Sequence, residues 1–386
     1  MGSICGELLK TLEILTFSLF FIIFCKQFFL LDIIYSHHMK LTSFSFILPQ
    51  WSLSDIHLHD ISLLVGENAV GKTRTLSALK LVADHMTGHQ FFGPNSEMQV
   101  LIKMTDDGRE YDYSYSVSHG KVQKEAFIVD GVTLIRREEE IAQYYENNVN
   151  PPINRLLINT RRDTQLYLDV EKVLVFMDSI ELFSFSSIRP GDNFVDPIKV
   201  GNGLNVSTVF SDLSPDERKR IIKLLNDFGF KVGNLRALKA FGNTMIAMKE
   251  TGVPNEFIMW AFSTGLIRVI SLLTFLFYLS ANHRSGLVLI DDMGEGLDYY
   301  RSTALGKFVS SFCKENQIQL ILTTNDSFLM NVIDVKEWII LRRTGANVTA
   351  LSEDTNPILF RRFRMTGLSN FDLLRSDFID QNIGEI

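Results

Sequence analysis

The chain has 386 residues, 46% of them hydrophobic, a formal net charge of −7 and three cysteines. That length accommodates one large α/β domain with an insertion, or two modest domains, and in either case a substantial buried core. The acidic balance argues against a surface devoted to nucleic-acid backbones, although a local basic groove can sit within an acidic average; nucleic acid is left open and is not indicated.

Cys5, Cys25 and Cys313 show no paired spacing and no nearby His cluster, which argues against a disulfide framework or a zinc site and fits a reducing, cytoplasmic compartment. Residues 14–25 (ILTFSLFFIIFC) are apolar apart from Thr16 and Ser18, Lys26 breaks the run, and residues 28–31 resume it. A bilayer span needs about 20 apolar residues. Joining the two pieces reaches that length only with an ammonium inside, at an insertion cost of up to about 2.5–3.5 kcal/mol. A secretory signal fits poorly, because Cys25-Lys26-Gln27 interrupts where a small-x-small cleavage site belongs. Residues 1–38 therefore read as a membrane anchor, as a packed helix, or as the product of a start codon assigned too early. The last is preferred, since Met39-Lys40-Leu41 opens a strand-like stretch; a membrane partner then arises only if residues 1–38 are translated.

Residues 41–47 and 51–65 tend to alternate apolar with polar and end in a mostly apolar run at 61–65, so strands are expected, the last one buried. Residues 73–86 carry apolar positions at helical spacing. Residues 98–104, 110–117 and 121–129 predict a meander turning at Asp106-Asp107-Gly108 and His119-Gly120. From about 136 to 250 the pattern is irregular, with Pro151-Pro152 and a loop-rich stretch at 189–205, and an inserted, largely helical lobe is expected. Within it, Ser214-Pro215-Asp216-Glu217 specifies a helix start: an N-cap serine, proline at the first helical position and glutamate three residues after the cap. No heptad pattern persists, so no long coiled-coil arm is expected. After 251 come an apolar helix (266–279), a strand (287–290), a helix (301–314), a strand (319–323) and a hairpin (338–343 and 348–351) turning at Gly345. Helices alternating with apolar strands imply a mostly parallel sheet covered on both faces. The expected layout is an N-terminal extension (1–38), a head (39–135 and 251–386) and the insertion (136–250).

Between the strand at 61–65 and the helix at 73–86 stands Gly66-Glu67-Asn68-Ala69-Val70-Gly71-Lys72-Thr73, which fits GxxxxGK[ST]. Glycines let successive N–H groups turn inward onto phosphate oxygens, Lys72 reaches the β and γ phosphates of ATP, and the Thr73 hydroxyl ligates Mg²⁺. Arg74, the next residue, is grouped with the nucleotide-binding positions. The bland reading is a glycine-bearing turn with an exposed lysine, but a strand before and a helix after are the context that phosphate binding requires.

The strand at 287–290 runs into Asp291-Asp292, which puts two carboxylates at the carboxyl end of a buried strand, where α/β sheets bind ligands. Asp291 is the candidate Mg²⁺ holder and Asp292 the candidate to orient or deprotonate an attacking water. Alone the pair reads as solvated turn acids; beside a phosphate loop the catalytic reading is stronger.

Four pieces in order, GENAVGKT, Phe262-Ser263-Thr264-Gly265, IDDMGEGLD ending in Asp298, and Thr323-Thr324-Asn325-Asp326, resemble the ABC-like P-loop ATPases grouped with bacterial AAA-family proteins, related to the overcoming-lysogenization-defect and chromosome-maintenance ATPases. The resemblance covers most of the chain from Met39 and leaves the middle insertion poorly matched. It implies an ABC-type head in which the signature of one copy, here Ser263 and Gly265, lies on the γ-phosphate held by the other, so that ATP joins a head-to-tail homodimer. It also implies a catalytic acid at Asp292, a switch residue at Asn325, a nucleotide-binding position at Asp298 and a Mg²⁺-sensing glutamine at Gln165. Two positions depart from the pattern. Asp292 stands where glutamate is usual, one methylene shorter, and Asn325 stands where histidine is usual and takes up no proton at neutral pH. The resemblance further implies control of a partner effector and, by analogy, a setting in bacterial defence against phage. An ATP-gated assembly module with little hydrolysis, and a DNA-end or repair ATPase, stand as alternatives. Arg268 reads as a nucleotide contact or a salt-bridge former, residues 361–364 (RRFR) as a partner or nucleic-acid surface or simply a wet one, and His37, His38, His57 and His59 offer no metal geometry.

Overall fold

The chain enters on two antiparallel strands, β1 (Lys40–Leu48) and β2 (Trp51–His57), and continues through β3 (Ile61–Val65) into α1 (Lys72–Thr87). This computed structural model describes residues 39–160, 162, 166–188, 199–200, 204–240, 242–281, 286–375 and 378–383; the expectations for residues 1–38, with His37 and His38, lie outside them. A meander follows: β4 (Met98–Asp106), β5 (Arg109–Ser118), β6 (Lys121–Val129), β7 (Val132–Glu138), β8 (Ile141–Tyr144) and β9 (Asn147–Val149). In β4 buried and exposed residues alternate, as an antiparallel sheet with one wet face requires.

The segment 136–250 does not form one lobe. Its first strands finish the meander. Then α2 (Leu168–Asp178) packs on α1, and β10 (Glu181–Ser184) pairs in parallel with a core strand described below. The rest is a mixed subdomain: β11 (Lys199–Val200), β12 (Leu204–Asn205), α3 (Val206–Asp212), α4 (Pro215–Asp227), β13 (Val232–Ala240), β14 (Asn243–Glu250) and β15 (Glu256–Ile258), the last three forming a small antiparallel sheet. The irregular composition concealed these strands because several are only two to four residues long. The capping box at Ser214 is formed as the sequence specified, with Ser214 Oγ accepting from Glu217 N–H and the Glu217 carboxylate accepting from Ser214 N–H.

The C-terminal part supplies α5 (Thr264–Ala281), β16 (Leu287–Asp291), α6 (Tyr299–Glu315), β17 (Gln319–Thr323), α7 (Ser327–Met330), the hairpin β18 (Trp338–Thr344) and β19 (Asn347–Leu351), and helices α8 (Pro357–Thr366), α9 (Asp372–Arg375) and α10 (Phe378–Ile383). Nearly all the long strands join one sheet of order β10-β16-β17-β3-β18-β19-β2-β1-β4-β5-β6-β7-β8-β9, parallel from β10 to β18 and largely antiparallel beyond. β3, β16 and β17 are buried along their whole length. Their alternate side chains feed two cores: Leu63, Ile290 and Leu322 face α5 and α6, while Leu64, Leu289 and Ile321 face α1, α2 and the meander. α5 is long and apolar enough to cross a bilayer, yet 78% of its window is buried in the protein, which makes it the central core helix.

Gln319 closes the architecture. Its buried side-chain amide accepts from Leu41 N–H (2.9 Å) and donates to Leu41 O (2.7 Å) and His59 O (3.0 Å), so the start of β17 holds the start of β1 across the curl of the sheet. At the far end of α1, His85 is buried with its ring 4.4 Å from that of Phe92. Burial pushes its pKa down to about 4, against the opposing pull of Asp84.

An unfolded histidine takes up its proton near pH 6.5, whereas folded His85 resists it down to about 4. The stabilisation is therefore whole above about pH 6.5 and is lost as pH falls through that window, at most on the order of 3 kcal/mol. In urea unfolding, the stability advantage of wild type over His85→Gln should shrink by that order between pH 7 and 4.5; a pH-independent difference would show that this imidazole is not the titrating group.

Candidate phosphate-binding site

β3 ends and α1 begins within eight residues, and the intervening loop adopts backbone angles that side chains disfavour. Gly66 has φ +150° and Gly71 φ +117°; a Cβ on the first would lie 2.6 Å from Leu341 O, and on the second 3.1 Å from Trp51 Nε1. Glycine is thus required at both by close packing as well as by torsion. Ala69 takes φ +64° and, with Glu67 and Asn68, stays exposed, while Val70 is buried beneath the loop. The N-cap of α1 is Gly71, no side chain caps the helix, and its first turn carries no acid. Its leading N–H groups and positive dipole end therefore face the loop, the arrangement that receives phosphate.

Lys72 Nζ crosses the loop to donate to Gly66 O (2.8 Å) and Glu67 O (3.1 Å). Burial lowers its pKa, while the nearby charges of Asp292 and Asp291 pull it up. Arg74, exposed on the first turn of α1, lays its guanidinium 4.9 Å from the centroid of the buried Trp51 ring.

The carboxyl end of β16 meets the loop directly. Asp291, 5% exposed, accepts at Oδ1 from Thr73 Oγ1 (3.0 Å) and from Thr323 Oγ1 (2.7 Å). Thr323 Oγ1 in turn accepts from Asp292 N–H (2.9 Å), and Asn325 Nδ2 donates to Asp292 Oδ1 (3.2 Å). Burial raises the Asp291 pKa; its hydrogen bonds to Thr323 and Thr73 oppose that and the Asp292 charge adds to it. Asp292 itself sits at φ +52°, a left-handed conformation uncommon for a residue with a side chain. Thr324 Oγ1 donates to Met293 O (2.7 Å) and Met293 N–H to Thr323 O (2.9 Å), so the turns after β16 and β17 are fastened to each other. Thr73, Asp291, Asp292 and Asn325, chosen from the sequence, thus converge.

A hydroxyl and a carboxylate side by side are the hard oxygen donors that Mg²⁺ accepts, with phosphate and water completing its octahedron. Among the described residues no cluster of three or more His, Cys, Asp or Glu forms a protein-only cage, and a Mg²⁺–phosphate site needs none. Gln165 lies outside the described residues.

Ser263 and Gly265 sit elsewhere on the chain. Ser263 Oγ accepts from Leu266 N–H (3.3 Å) at the start of α5 and lines a cavity of about 410 Å³ with Phe230, Lys231 and Phe257. The phosphate loop borders a different cavity, of about 390 Å³, with Leu341, Arg343 and Leu374, and the two share no lining residue. A Cβ on Gly265 would lie 2.9 Å from Leu297 Cδ2, so the first turn of α5 packs tightly on the loop after β16. Asp298, at the end of that loop, caps α6: its carboxylate accepts from Arg301 N–H (3.0 Å) and pairs with the Arg301 guanidinium, and these bonds hold its pKa below the ordinary value. Arg268 is buried and donates to the carbonyls of Ile188 (3.0 Å), Glu295 (2.7 Å) and Ser186 (2.7 Å), clamping α5 to the loop after β16 and to the segment after β10, with the Glu295 carboxylate 4.0 Å away as the expected salt-bridge partner. In the RRFR run, Arg364 pairs with Glu353 and Arg362 donates to Asn382 (3.1 Å). His57 faces Asp55 and His59 faces Asp354, without metal geometry.

Sequence reasoning did not single out Thr323, Trp51 or Arg343, whose Nη1 donates to Ala69 O (3.3 Å). Thr323 lay within the quoted switch segment and had a signal, a hydroxyl at the end of the strand next to β16. Trp51 and Arg343 had none, being brought to the loop only by the sheet. Replacing Thr323 by valine keeps its shape but strips a hydrogen bond from a buried carboxylate and leaves the Asp292 N–H without its acceptor. The variant should lose about 1–3 kcal/mol of unfolding free energy, Thr323→Ser much less; equal losses in chemical denaturation would show that the hydroxyl is not what matters.

No protein-family model and no curated protein matches the chain. Solved structures do: the head of an SMC protein bound to the C-terminal winged-helix domain of ScpA is 13% identical, with 81% of this chain and 96% of that one covered at a TM-score of 0.50. An SMC head domain from Thermotoga maritima (13% identical, 81% and 98% covered, TM-score 0.48) and the Pyrococcus furiosus Smc head with an extended coiled coil bound to the C-terminal domain of ScpA (13%, 84% and 100%, 0.47) also align. At this identity the likeness speaks for the fold alone, and the chain has the α/β P-loop architecture of an SMC head domain.

Proposed function

We propose that this protein is an ABC-type ATPase in which two copies close head to tail on ATP and Mg²⁺, and whose nucleotide state controls a partner protein. The observation that carries the reading is the Thr73–Asp291–Thr323 network at the mouth of a loop whose helix N-terminus carries no side-chain cap. In this reading the N–H groups of residues 66–73 take the phosphates, and Lys72 leaves the carbonyls of Gly66 and Glu67 for the β and γ phosphates. Thr73 and Asp291 hold Mg²⁺. Once bound, the ion neutralises phosphate charge as the terminal phosphoryl group departs. Asp292 orients the attacking water, and Ser263 with the Gly265 N–H of the second copy covers the γ-phosphate. Separate placement of the loop and the signature within one chain supports completion of the site by a second copy. Arg74 contacts nucleotide from the first turn of α1, and Asp298 keeps the loop after β16 against the signature. A protein partner accords with the ScpA domain seen on the SMC head neighbour. The resemblance to overcoming-lysogenization-defect ATPases supplies phage defence as the proposed setting.

One observation favours a slower variant of this reading, an assembly module that holds ATP and turns it over rarely. Asp292 is a methylene shorter than the usual acid, and its carboxylate is bonded to Asn325, an amide that cannot relay a proton. A DNA-end ATPase has less behind it, given the charge of −7.

Lys72→Ala should weaken Mg²⁺–ATP binding by at least about tenfold in calorimetry, since it removes the cation that meets the phosphates. Ser263→Arg should keep ATP binding in the monomer yet abolish ATP-dependent dimers in analytical ultracentrifugation. Asp292→Asn should accumulate those dimers; a protein that stays monomeric with ATP in that variant refutes the head-to-tail reading. Measured turnover above background that vanishes in Asp291→Asn decides against the assembly module.

A further inference from the structure

Opposite the phosphate loop, at the C-terminal end of α1, lies a second cavity of about 310 Å³. α1 has 16 residues, so the two ends stand about 24 Å apart. His85 and Leu156, both buried, form its floor, and the Phe92 ring packs against His85, tilted by 49° with the centroids 4.4 Å apart. Its rim carries Phe91, 52% exposed despite its size, with the Arg155 guanidinium 4.7 Å from the ring centroid. Among the described residues no carboxylate pairs with that guanidinium. Gln90, Asn154 and Asn159 add amide donors and acceptors around the opening.

An exposed phenylalanine or a solvated arginine alone needs no ligand. Here, however, two aromatic rings, a cation without an acid and a ring of amides surround one concavity, with no Asp or Glu in its lining to repel an anion. Aromatic faces and guanidinium planes bind heteroaromatic bases by stacking, amides read base edges, and a free guanidinium receives phosphate. The volume lies at the lower end of ligand cavities, about 300–1,000 Å³, and suits a mononucleotide rather than a larger molecule. We propose that this cavity is a second nucleotide site, binding a nucleoside monophosphate with its base against Phe91 and Phe92, its base edge on the amides of Gln90 and Asn154, and its phosphate on Arg155. None of its lining residues belongs to the phosphate loop, so the proposal stands or falls independently of the ATPase reading.

The test uses the full chain carrying Lys72→Ala, which disables the phosphate loop, and AMP, GMP, CMP and UMP as probes in saturation-transfer NMR and calorimetry. At least one should bind saturably. Phe91→Ala and Arg155→Gln, both at the rim, should each weaken binding about tenfold or more, Arg155→Lys less, with circular dichroism reporting the fold. In a chain with Lys72 intact, Phe91→Ala should leave Mg²⁺–ATP affinity at the phosphate loop unchanged. Absence of saturable binding by all four monophosphates at millimolar concentration overturns the proposal, as does binding that neither rim substitution weakens.

Discussion

A carboxylate withdrawn from water must be hydrogen-bonded or neutralised, and Asp291 meets that demand with two hydroxyls from distant parts of the chain. Thr73 lies 218 residues before it and Thr323 lies 32 after, and both donate to the same oxygen. The phosphate loop, the end of β16 and the end of β17 are thereby brought to one point. Thr323 extends the connection to the Asp292 N–H, which fixes a turn that the backbone would not adopt unaided. Burial still raises the Asp291 pKa, so the free site carries an electrostatic cost that a bound cation would relieve.

The fold delivers those groups by burying both faces of its central strands. With β3, β16 and β17 parallel and covered on each side, their carboxyl ends emerge at one edge, and the loops that follow cannot slide without disturbing two cores. Helix α5 is joined to the same edge by Arg268, whose guanidinium holds backbone carbonyls from two other segments. Arg301 and Tyr300 extend the bracing to the small subdomain through Gly229 O and Asp227 O. Ser263, Asp298 and the acidic strand end therefore belong to one mechanically connected surface.

The elements most legible in the sequence were those with local causes. The capping box at Ser214, the glycine loop and the all-apolar strands each announce themselves within eight residues, and their boundaries agree with expectation to within one residue. Helix α5 read as apolar, but whether it served a core or a membrane depended on what packed against it. The middle segment was misread as a lobe because β10 has only four residues and gains its identity from pairing with β16. The carboxylates of Asp291 and Asp292 were visible as a strand-end pair. The hydroxyl that organises them, the tryptophan beneath Gly71 and the clamp role of Arg268 were not, since each depends on contacts over 20 or more residues of chain.

The strand order has a consequence for how this protein is made. β3 lies between β17 and β18, and Gln319 at the head of β17 also secures β1, so the phosphate-loop strand gains both neighbours only from sequence beyond residue 318. During synthesis β3 emerges some 250 residues before the strands that cover its edges, at elongation rates of about 5–20 residues per second. For that interval the nascent chain carries an apolar, unpaired strand whose sequence suits self-association as well as it suits the finished core. Completion of the sheet around the phosphate loop therefore waits on the last strands of the chain, whatever the chemistry of the loop itself.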